Sequence, residues 1–320
     1  MKQRFITLDI IRGIALFGIL LINIPAYVTV TESNLLPSMS AGTTIDLFIT
    51  VLVEKKFYAM FSFLFGVGFY IFATNAEQKG KKPLRLFTRR LFFMLLFGVV
   101  HFIFFWGTIL PIYAVLGLML LPFYRRQPTT ILAAMALLFI VNCITPHDEF
   151  IIVLLFLTGL WFAKKQYLHN TLQTQQFLRR VLLLTLPITV AGGALIGITY
   201  GNDVAFTMYA VGAFAPIMTA TYLAALFLLF QQPTAAAAAT PIARVGQMAF
   251  TNYLMQNVLG VALLALFGIT VVTPTEVLWL APLIYGIEML WSWLYFKRFR
   301  MGPFEWLWRK CTYGRGFTLT

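Results

Sequence analysis

A histidine inside an apolar run is the residue of this sequence best suited to proton transfer. His101 follows Arg89 by 12 residues. A helical rise of about 1.5 Å per residue therefore puts it roughly 18 Å from the basic end of the run, past the middle of a bilayer. Imidazole titrates near neutrality and can act as general base toward a hydroxyl or amine. His101 is thus a candidate catalytic residue. The alternative is a buried neutral histidine bonded to a backbone carbonyl of a neighbouring helix.

Two adjacent lysines, Lys55 and Lys56, lie in another apolar run at a depth similar to that of His101. Neighbouring residues of a helix point in different directions, so both ammonium groups cannot easily face one cavity. One is predicted to stabilise developing negative charge or to pair with Glu54, while the other extends toward the membrane surface. Both are candidate catalytic residues, and interfacial placement of both is the alternative.

Arg12 and several polar residues are candidates for binding a substrate or an acyl donor. Arg12 follows Asp9 by three residues. It can form an ion pair on one helix face, or hold a phosphate or carboxylate at the cytoplasmic mouth of a cavity. Polar groups within a bilayer are costly and usually face a protein interior or a wet cavity. The other candidates of this group are Asn23, Asn252, Gln256 and Glu288.

The last two long apolar runs carry most of this group. Asn252 and Gln256 are four residues apart and share a helix face, which suits hydrogen bonding between helices or the lining of a cavity. Glu288 lies near the middle of the final run, where a carboxylate requires a partner. The sequence leaves open which basic residue this is: Arg12, Lys55 or Lys56.

Local motifs for metals and cofactors are absent from the sequence. It contains no nucleotide-binding loop, zinc motif, Gly-x-Ser-x-Gly elbow or dinucleotide fingerprint. The two cysteines, Cys143 and Cys311, form neither a disulfide framework nor a metal-binding pair. We therefore expect no metal.

Composition identifies lipid as the main solvent of this chain. Of 320 residues, 60% are hydrophobic and 11% are charged, which is too little polar surface to cover a water-soluble globule. Helices satisfy their own backbone groups in lipid, whereas an open sheet does not. We predict an all-α polytopic membrane bundle that forms a single integral membrane domain over residues 1–320, with halves 1–170 and 171–320. The net charge of +13 does not indicate nucleic acid, because the basic residues are not gathered in one motif.

Apolar runs predict about ten transmembrane helices. A hydrocarbon core of roughly 30 Å requires about 20 apolar residues per helix. The first run is too long for a signal-peptide core and predicts a retained helix. The segment 45–74 exceeds a simple span and is expected to be tilted or broken near Glu54, whereas residues 231–244 are expected to form a loop. The runs are 9–28, 45–74, 88–106, 109–124, 129–145, 150–163, 181–199, 204–230, 247–269 and 277–296.

The distribution of positive charge predicts the orientation of the chain. When the ten runs are threaded alternately through a bilayer, every Lys and Arg except Arg12, Lys55 and Lys56 falls on one side. The positive-inside rule makes that side cytoplasmic. The N and C termini are therefore both predicted to be cytoplasmic.

Five ordered motifs carry a family resemblance that spans nearly the whole chain. The N-terminal half contains RFITLDIIRGIALFGILLINI at 4–24, KFYAMFSFLFGVGF at 56–69 and RRLFFMLLFGVVHFIFFWGTILPIYAVLGL at 89–118. The C-terminal half contains GQMAFTNYLMQN at 246–257 and FRMGPFEWLWRKCTYG at 299–314. Together these motifs resemble the YeiB-like bacterial membrane proteins, and the last two resemble the C-terminal domain of unknown function of that family.

The resemblance implies a relation to a broad group of multi-pass membrane acyltransferases that includes the lysosomal heparan N-acetyltransferase. In that group an acyl group passes from a cytoplasmic thioester such as acyl-CoA to an acceptor across the membrane, and a membrane-embedded histidine is catalytic. His101 matches that histidine. The family commonly has Gly-Asp-Ile-Leu after it, whereas residues 107–110 here read Gly-Thr-Ile-Leu. The carboxylate that would orient the imidazole is replaced by Thr108.

The leading prediction is an acyltransferase in the cytoplasmic (inner) membrane of a bacterium. Its donor substrate is expected to be an acyl-CoA, and its acceptor a small molecule, glycan or lipid at the outer side. Membrane lipids are the other expected partners, and nucleic acid is not expected. The same buried charges also suit a transporter or flippase of a lipid-linked or small anionic molecule. A third alternative is a membrane sensor or scaffold without enzymatic activity.

Overall fold

The computed structural model describes residues 5–30 and 44–314, and the regular structure in these ranges is entirely helical. The predicted all-α class is confirmed. Two 3-10 segments, Ile24–Val30 and Gly117–Phe123, continue α1 and α5. The α-helices are α1 Ile6–Asn23, α2 Thr44–Leu52, α3 Lys56–Gln78, α4 Pro83–Phe104, α5 Leu110–Leu116, α6 Pro128–Ile144, α7 Asp148–Lys164, α8 Leu172–Thr199, α9 Val204–Phe230, α10 Pro233–Ala238, α11 Thr240–Gln247, α12 Ala249–Leu266, α13 Pro274–Tyr295 and α14 Pro303–Tyr313.

Seven helical stretches in the described ranges are long and apolar enough to cross a membrane. Each of the ten predicted apolar runs contains a helix, but α5 with its 3-10 continuation, α6 and α7 are shorter than these seven. The count of ten and the cytoplasmic placement of both termini therefore stay predictions. The seven stretches are Ile6–Val28, Thr44–Gln78, Pro83–Phe104, Leu172–Thr199, Val204–Phe230, Ala249–Leu266 and Pro274–Tyr295.

Helix ends follow local sequence signals. A proline lies in the first turn of several helices, including α4 and α13, where its missing N–H leaves no hydrogen bond unmade. At the start of α13, Thr273 N donates to Glu276 Oε2 at 2.8 Å as part of a capping box. Asp203 Oδ1 accepts from Phe206 N at 2.9 Å at the start of α9. These caps satisfy backbone groups that the helices leave free.

The predicted break in segment 45–74 is present at its charged residues. The helix α2 ends at Leu52 and α3 begins at Lys56. Between them Lys55 has a φ of 64°, in the left-handed region that side chains rarely adopt. The chain therefore turns at the cluster Glu54–Lys56 instead of crossing as one straight helix.

The connector 231–244, expected to be a loop, instead contains the short helix α10 and the start of α11. The helix α11 packs closely along α1: a Cβ added at Gly246 would lie 1.8 Å from the carbonyl oxygen of Asp9. The loop prediction is wrong because helices this short, which are marginal on their own, form when packing supplies their stability. The amphipathic helix α14 at Pro303–Tyr313 lies beyond the last predicted apolar run and forms for the same reason.

Close contact between α3 and α7 organises the N-terminal half. A Cβ added at Gly66 would lie 2.0 Å from the carbonyl oxygen of Phe156, and one at Gly159 would lie 2.0 Å from that of Phe63. Only glycine permits this approach of two backbones. Buried apolar side chains fill the space around the crossing.

Candidate functional site

The imidazole of His101 lies in the last turn of α4, 8% exposed and among aromatic rings. Its centroid is 5.8 Å from that of Phe105 and 5.6 Å from that of Tyr253. Neither Nδ1 nor Nε2 has a hydrogen-bond partner in the described part of the chain. The backbone carbonyl partner required by the purely structural alternative is therefore not found there. A buried imidazole with two free nitrogens can exchange protons with a bound ligand.

A turn between α4 and α5 positions the family motif beside this imidazole. The hydroxyl oxygen of Tyr253 on α12 accepts a hydrogen bond from Ile109 N at 3.2 Å, which ties the turn to α12. Thr108, which replaces the family aspartate, is buried next to the Tyr253 hydroxyl but lacks the geometry of a hydrogen bond. The imidazole is therefore held by ring contacts with Phe105 and Tyr253, not by a carboxylate.

On another side of α12, two polar rungs join it to α13. Asn252 Nδ2 donates to Ser292 Oγ at 3.1 Å, and Gln256 Nε2 donates to Glu288 Oε2 at 3.0 Å. The spacing of four residues in both helices places the rungs one turn apart. The predicted shared face of Asn252 and Gln256 thus serves hydrogen bonding between helices. Their oxygens and Glu288 Oε1 have no donor within the described residues.

Tyr27 lies between the imidazole and these rungs. The ring of Tyr27 packs edge-to-face on Phe105, with centroids 5.2 Å apart, and its phenol interacts electrostatically with both Tyr253 and Glu288. The side chain of Asn23, another predicted binding residue, lies near this phenol. Asn23 and Glu288 therefore lie near Tyr27, and Phe105 links Tyr27 to His101.

The predicted charged neighbours of His101 have other partners. Arg12 Nη1 pairs with Asp9 Oδ1 at 2.9 Å on the same face of α1, as one alternative predicted. Lys55 Nζ pairs with Asp148 Oδ1 at 2.5 Å, and Lys56 Nζ donates to the carbonyl oxygen of Thr50 at 2.9 Å.

No hydrogen bond or ion pair joins Arg12, Lys55 or Lys56 to His101 among the residues that the structure describes. The prediction that one of the three pairs with Glu288 is wrong. Glu288 is paired with Gln256 because the two face each other across neighbouring helices. Lys55 and Lys56 are predicted to lie at a depth similar to that of His101, but depth does not fix their position around the bundle.

The helix α14 contacts both α4, which carries His101, and α12, which carries Tyr253. Glu305 Oε1 accepts from Phe250 N at 2.7 Å and from Thr251 N at 3.0 Å, so it caps the start of α12. Trp308 Nε1 donates to the carbonyl oxygen of Arg90 on α4 at 2.9 Å, and the Arg90 guanidinium stacks 3.6 Å from that ring. The element α14 therefore fixes α4 and α12 relative to each other.

Tyr27, Tyr253, Ser292 and Glu305 were missed as site residues by sequence reasoning. A search for charged and amide groups in apolar runs passes over tyrosine and serine, which are common there. Tyr253 and Asn257 are four residues apart, next to the pair Asn252 and Gln256, and this second polar face of α12 was the available signal.

A separate cavity of about 260 Å³ lies between the start of α1 and the end of α9. Thr7, His169, Phe227 and Phe230 are among its lining residues, and none of the predicted site residues lines it. The described ranges also contain no group of three or more His, Cys, Asp or Glu side chains that could hold a metal.

Similar proteins come from bacteria, and each is described as uncharacterized. An uncharacterized 39.9 kDa protein in the amylase 3′ region of Bacillus acidopullulyticus is 33% identical, and the alignment covers 100% of this chain and 96% of that protein. The uncharacterized protein YxaH of Bacillus subtilis (strain 168) is 28% identical over 98% of this chain and 95% of its own length. The uncharacterized protein YeiB of Escherichia coli (strain K12) is 24% identical over 97% of this chain and 96% of its own length.

No solved structure matches the chain. The family model described as protein of unknown function (DUF418) matches residues 162–315, which include α12, α13 and α14. The full-length similarity to the Bacillus acidopullulyticus protein and to YeiB extends this match to the N-terminal half. The chain therefore belongs to the YeiB-like family of bacterial membrane proteins that carry the DUF418 region.

Proposed function

We propose that this protein is an acyltransferase of the bacterial inner membrane. It moves an acyl group from a cytoplasmic acyl-CoA-type donor to a hydroxyl or amine of a small molecule, glycan or lipid at the outer side. The observation that supports this proposal is the buried imidazole of His101, whose two ring nitrogens have no protein partner in the described ranges. An imidazole left free in this way is available to a substrate.

His101 acts as general base in the proposed reaction. The acceptor oxygen or nitrogen attacks the thioester carbonyl carbon while the imidazole removes its proton. The C–S bond then breaks, and the proton passes from the imidazolium to the leaving thiolate, so the products are the acylated acceptor and the free thiol. The alternative order has the imidazole attack the thioester first and carry the acyl group to the acceptor.

Neighbouring residues support this chemistry in different ways. Tyr253 already accepts a hydrogen bond from Ile109 N, so its own hydroxyl proton can be donated to the carbonyl oxygen that becomes negative. Arg12, with 27% of its side chain exposed at the start of α1, is proposed to bind donor phosphates beside Asp9. Lys55 pairs with Asp148 and Lys56 with the carbonyl oxygen of Thr50, so neither lysine stabilises that charge directly.

The experiment is acyl transfer from radiolabelled acetyl-CoA in proteoliposomes that contain bacterial lipid and glycan extracts. The His101→Gln variant is expected to lose labelling of the acceptor. The control variant His169→Gln, which changes a histidine far from His101 in the sequence, is expected to keep it. Equal labelling by the wild type and His101→Gln, or no labelling by the wild type with acyl donors of several chain lengths, contradicts the proposal.

Transport is a second candidate function because α12 and α13 enclose polar atoms without partners. Buried groups of this kind mark pathways in many transporters. Flux of a lipid-linked or small anionic molecule through liposomes without a covalent product would favour transport over acyl transfer.

A further inference from the structure

The contact between α12 and α13 contains a negative group without a positive neighbour. Glu288 is 1% exposed, and among the described residues its carboxylate forms no ion pair. The rungs Gln256–Glu288 and Asn252–Ser292 are separated by one helical turn, about 6 Å. A lone carboxylate between helices in lipid is costly unless something neutralises it.

Hydrogen bonds fix the direction in which each amide points. Asn252 Nδ2 donates to the carbonyl oxygen of Val245 at 3.0 Å and to Ser292 Oγ at 3.1 Å, so Asn252 Oδ1 faces away from both. Gln256 Nε2 donates to Glu288 Oε2, and turning that amide over would bring two oxygens together. Three buried oxygens are left without a donor in the described structure: Asn252 Oδ1, Gln256 Oε1 and Glu288 Oε1.

Possible occupants differ in how many of these oxygens they satisfy. A proton on Glu288 neutralises its charge but supplies one donor for several acceptors. A water molecule supplies two donors and no charge. A monovalent cation can bind several oxygens at once and cancels the single negative charge, whereas a divalent cation leaves excess charge in lipid.

Donor chemistry also fits a cation. Hard cations bind carboxylate and carbonyl oxygens, and for an ion the size of calcium the distances are about 2.3–2.6 Å. Sodium is of similar size and binds the same kinds of oxygen.

We propose that the protein binds one sodium ion between Asn252, Gln256 and Glu288. The ion neutralises the carboxylate and links α12 to α13. This inference does not depend on acyl transfer, because His101 is not among the ligands.

The test is thermal unfolding of the purified full-length protein, measured by intrinsic fluorescence in sodium chloride and in choline chloride at equal ionic strength. Choline has the same charge but is too large to enter between the rungs. Sodium is expected to raise the Tm in a saturable way, and Glu288→Gln is expected to lose this rise. The matched control Glu276→Gln, at the start of the same helix, keeps it.

A direct measurement covers the case in which Glu288→Gln does not fold. Radioactive sodium is expected to bind the wild type at one ion per chain and to bind Asn252→Ala at least tenfold more weakly. Equal Tm values of the wild type in the two salts, absence of saturable sodium binding, or a Glu288→Gln variant that keeps the rise would each overturn the proposal. None of these readouts measures acyl transfer, so their failure leaves the proposed reaction of His101 untouched.

Discussion

The contacts α3–α7 and α12–α13 join helices in opposite ways. Gly66 and Gly159 bring the backbones of α3 and α7 together, and apolar side chains complete that contact. The helices α12 and α13 meet through amides, a hydroxyl and a carboxylate, and several of these atoms lack partners in the described chain. Close packing stabilises helices in lipid, whereas polar atoms without partners cost stability. The first contact therefore supports the fold, and the second is the place of the proposed sodium site.

The largest effect is expected from breaking the α3–α7 contact. Gly159→Ala places a methyl group 2.0 Å from the carbonyl oxygen of Phe63, so the two helices must separate at a cost of about 3 kcal/mol. The matched control is Gly68→Ala on α3, because no atom lies within 4 Å of the added carbon. Thermal unfolding in detergent checks both variants. A Gly159→Ala protein as stable as the control contradicts the supporting role of this contact.

A somewhat smaller effect is expected at the α14 cap. Glu305→Ala removes the acceptor of Phe250 N and Thr251 N, and hydrogen bonds to a charged group are worth roughly 2 kcal/mol. Glu305→Gln keeps one acceptor oxygen and is expected to lose less than Glu305→Ala. Thermal unfolding gives the Tm of the wild type and of both variants, and the order of the three Tm values checks the prediction. If both substitutions lower the Tm equally, charge and not the cap geometry is the source of the effect.

Converting the polar contact between α12 and α13 into an apolar one tests whether its polar groups cost stability. Gln256→Leu leaves the Glu288 carboxylate without its donor, which costs about 1–3 kcal/mol. The double variant Gln256→Leu with Glu288→Leu is expected to regain stability, because both polar partners are then replaced by apolar groups. Tm values of the two variants test this. A double variant less stable than Gln256→Leu would mean that the carboxylate itself stabilises the bundle.

The smallest effect is expected at Tyr253. Tyr253→Phe keeps the ring contact with His101 but removes the acceptor of Ile109 N, a loss of about 1 kcal/mol. Acyl-transfer activity is expected to fall further than stability does, since the same hydroxyl is proposed to donate to the reacting carbonyl. Parallel measurement of Tm and labelling separates the two roles. If labelling of the acceptor is unchanged, Tyr253 only positions His101 and the turn at Ile109.

The sequence predicts the helices well because lipid permits few alternatives. Long apolar runs must be helical, and the charges at Glu54–Lys56 correctly predict a break between α2 and α3. The helices α11 and α14 were not foreseen because they are short and owe their formation to packing on α1, α4 and α12.

The candidate site can be predicted from the sequence only in part. A spacing of four residues correctly groups Asn252 with Gln256, since both lie on one helix. The partner of Glu288 cannot be predicted from the sequence, because it depends on how α12 and α13 face each other. Attraction between opposite charges favoured Arg12 or a lysine, but residues at similar depth can lie on distant sides of a bundle.

The position of α14 in the chain has a consequence for biogenesis. Synthesis reaches α14 after every other described helix, yet Glu305 and Trp308 join the start of α12 to α4. A nascent chain can therefore insert its earlier helices and still lack a rigid setting for its histidine. Translation that stops before residue 303 would leave the earlier helices without the contacts through which α14 holds α12 and α4.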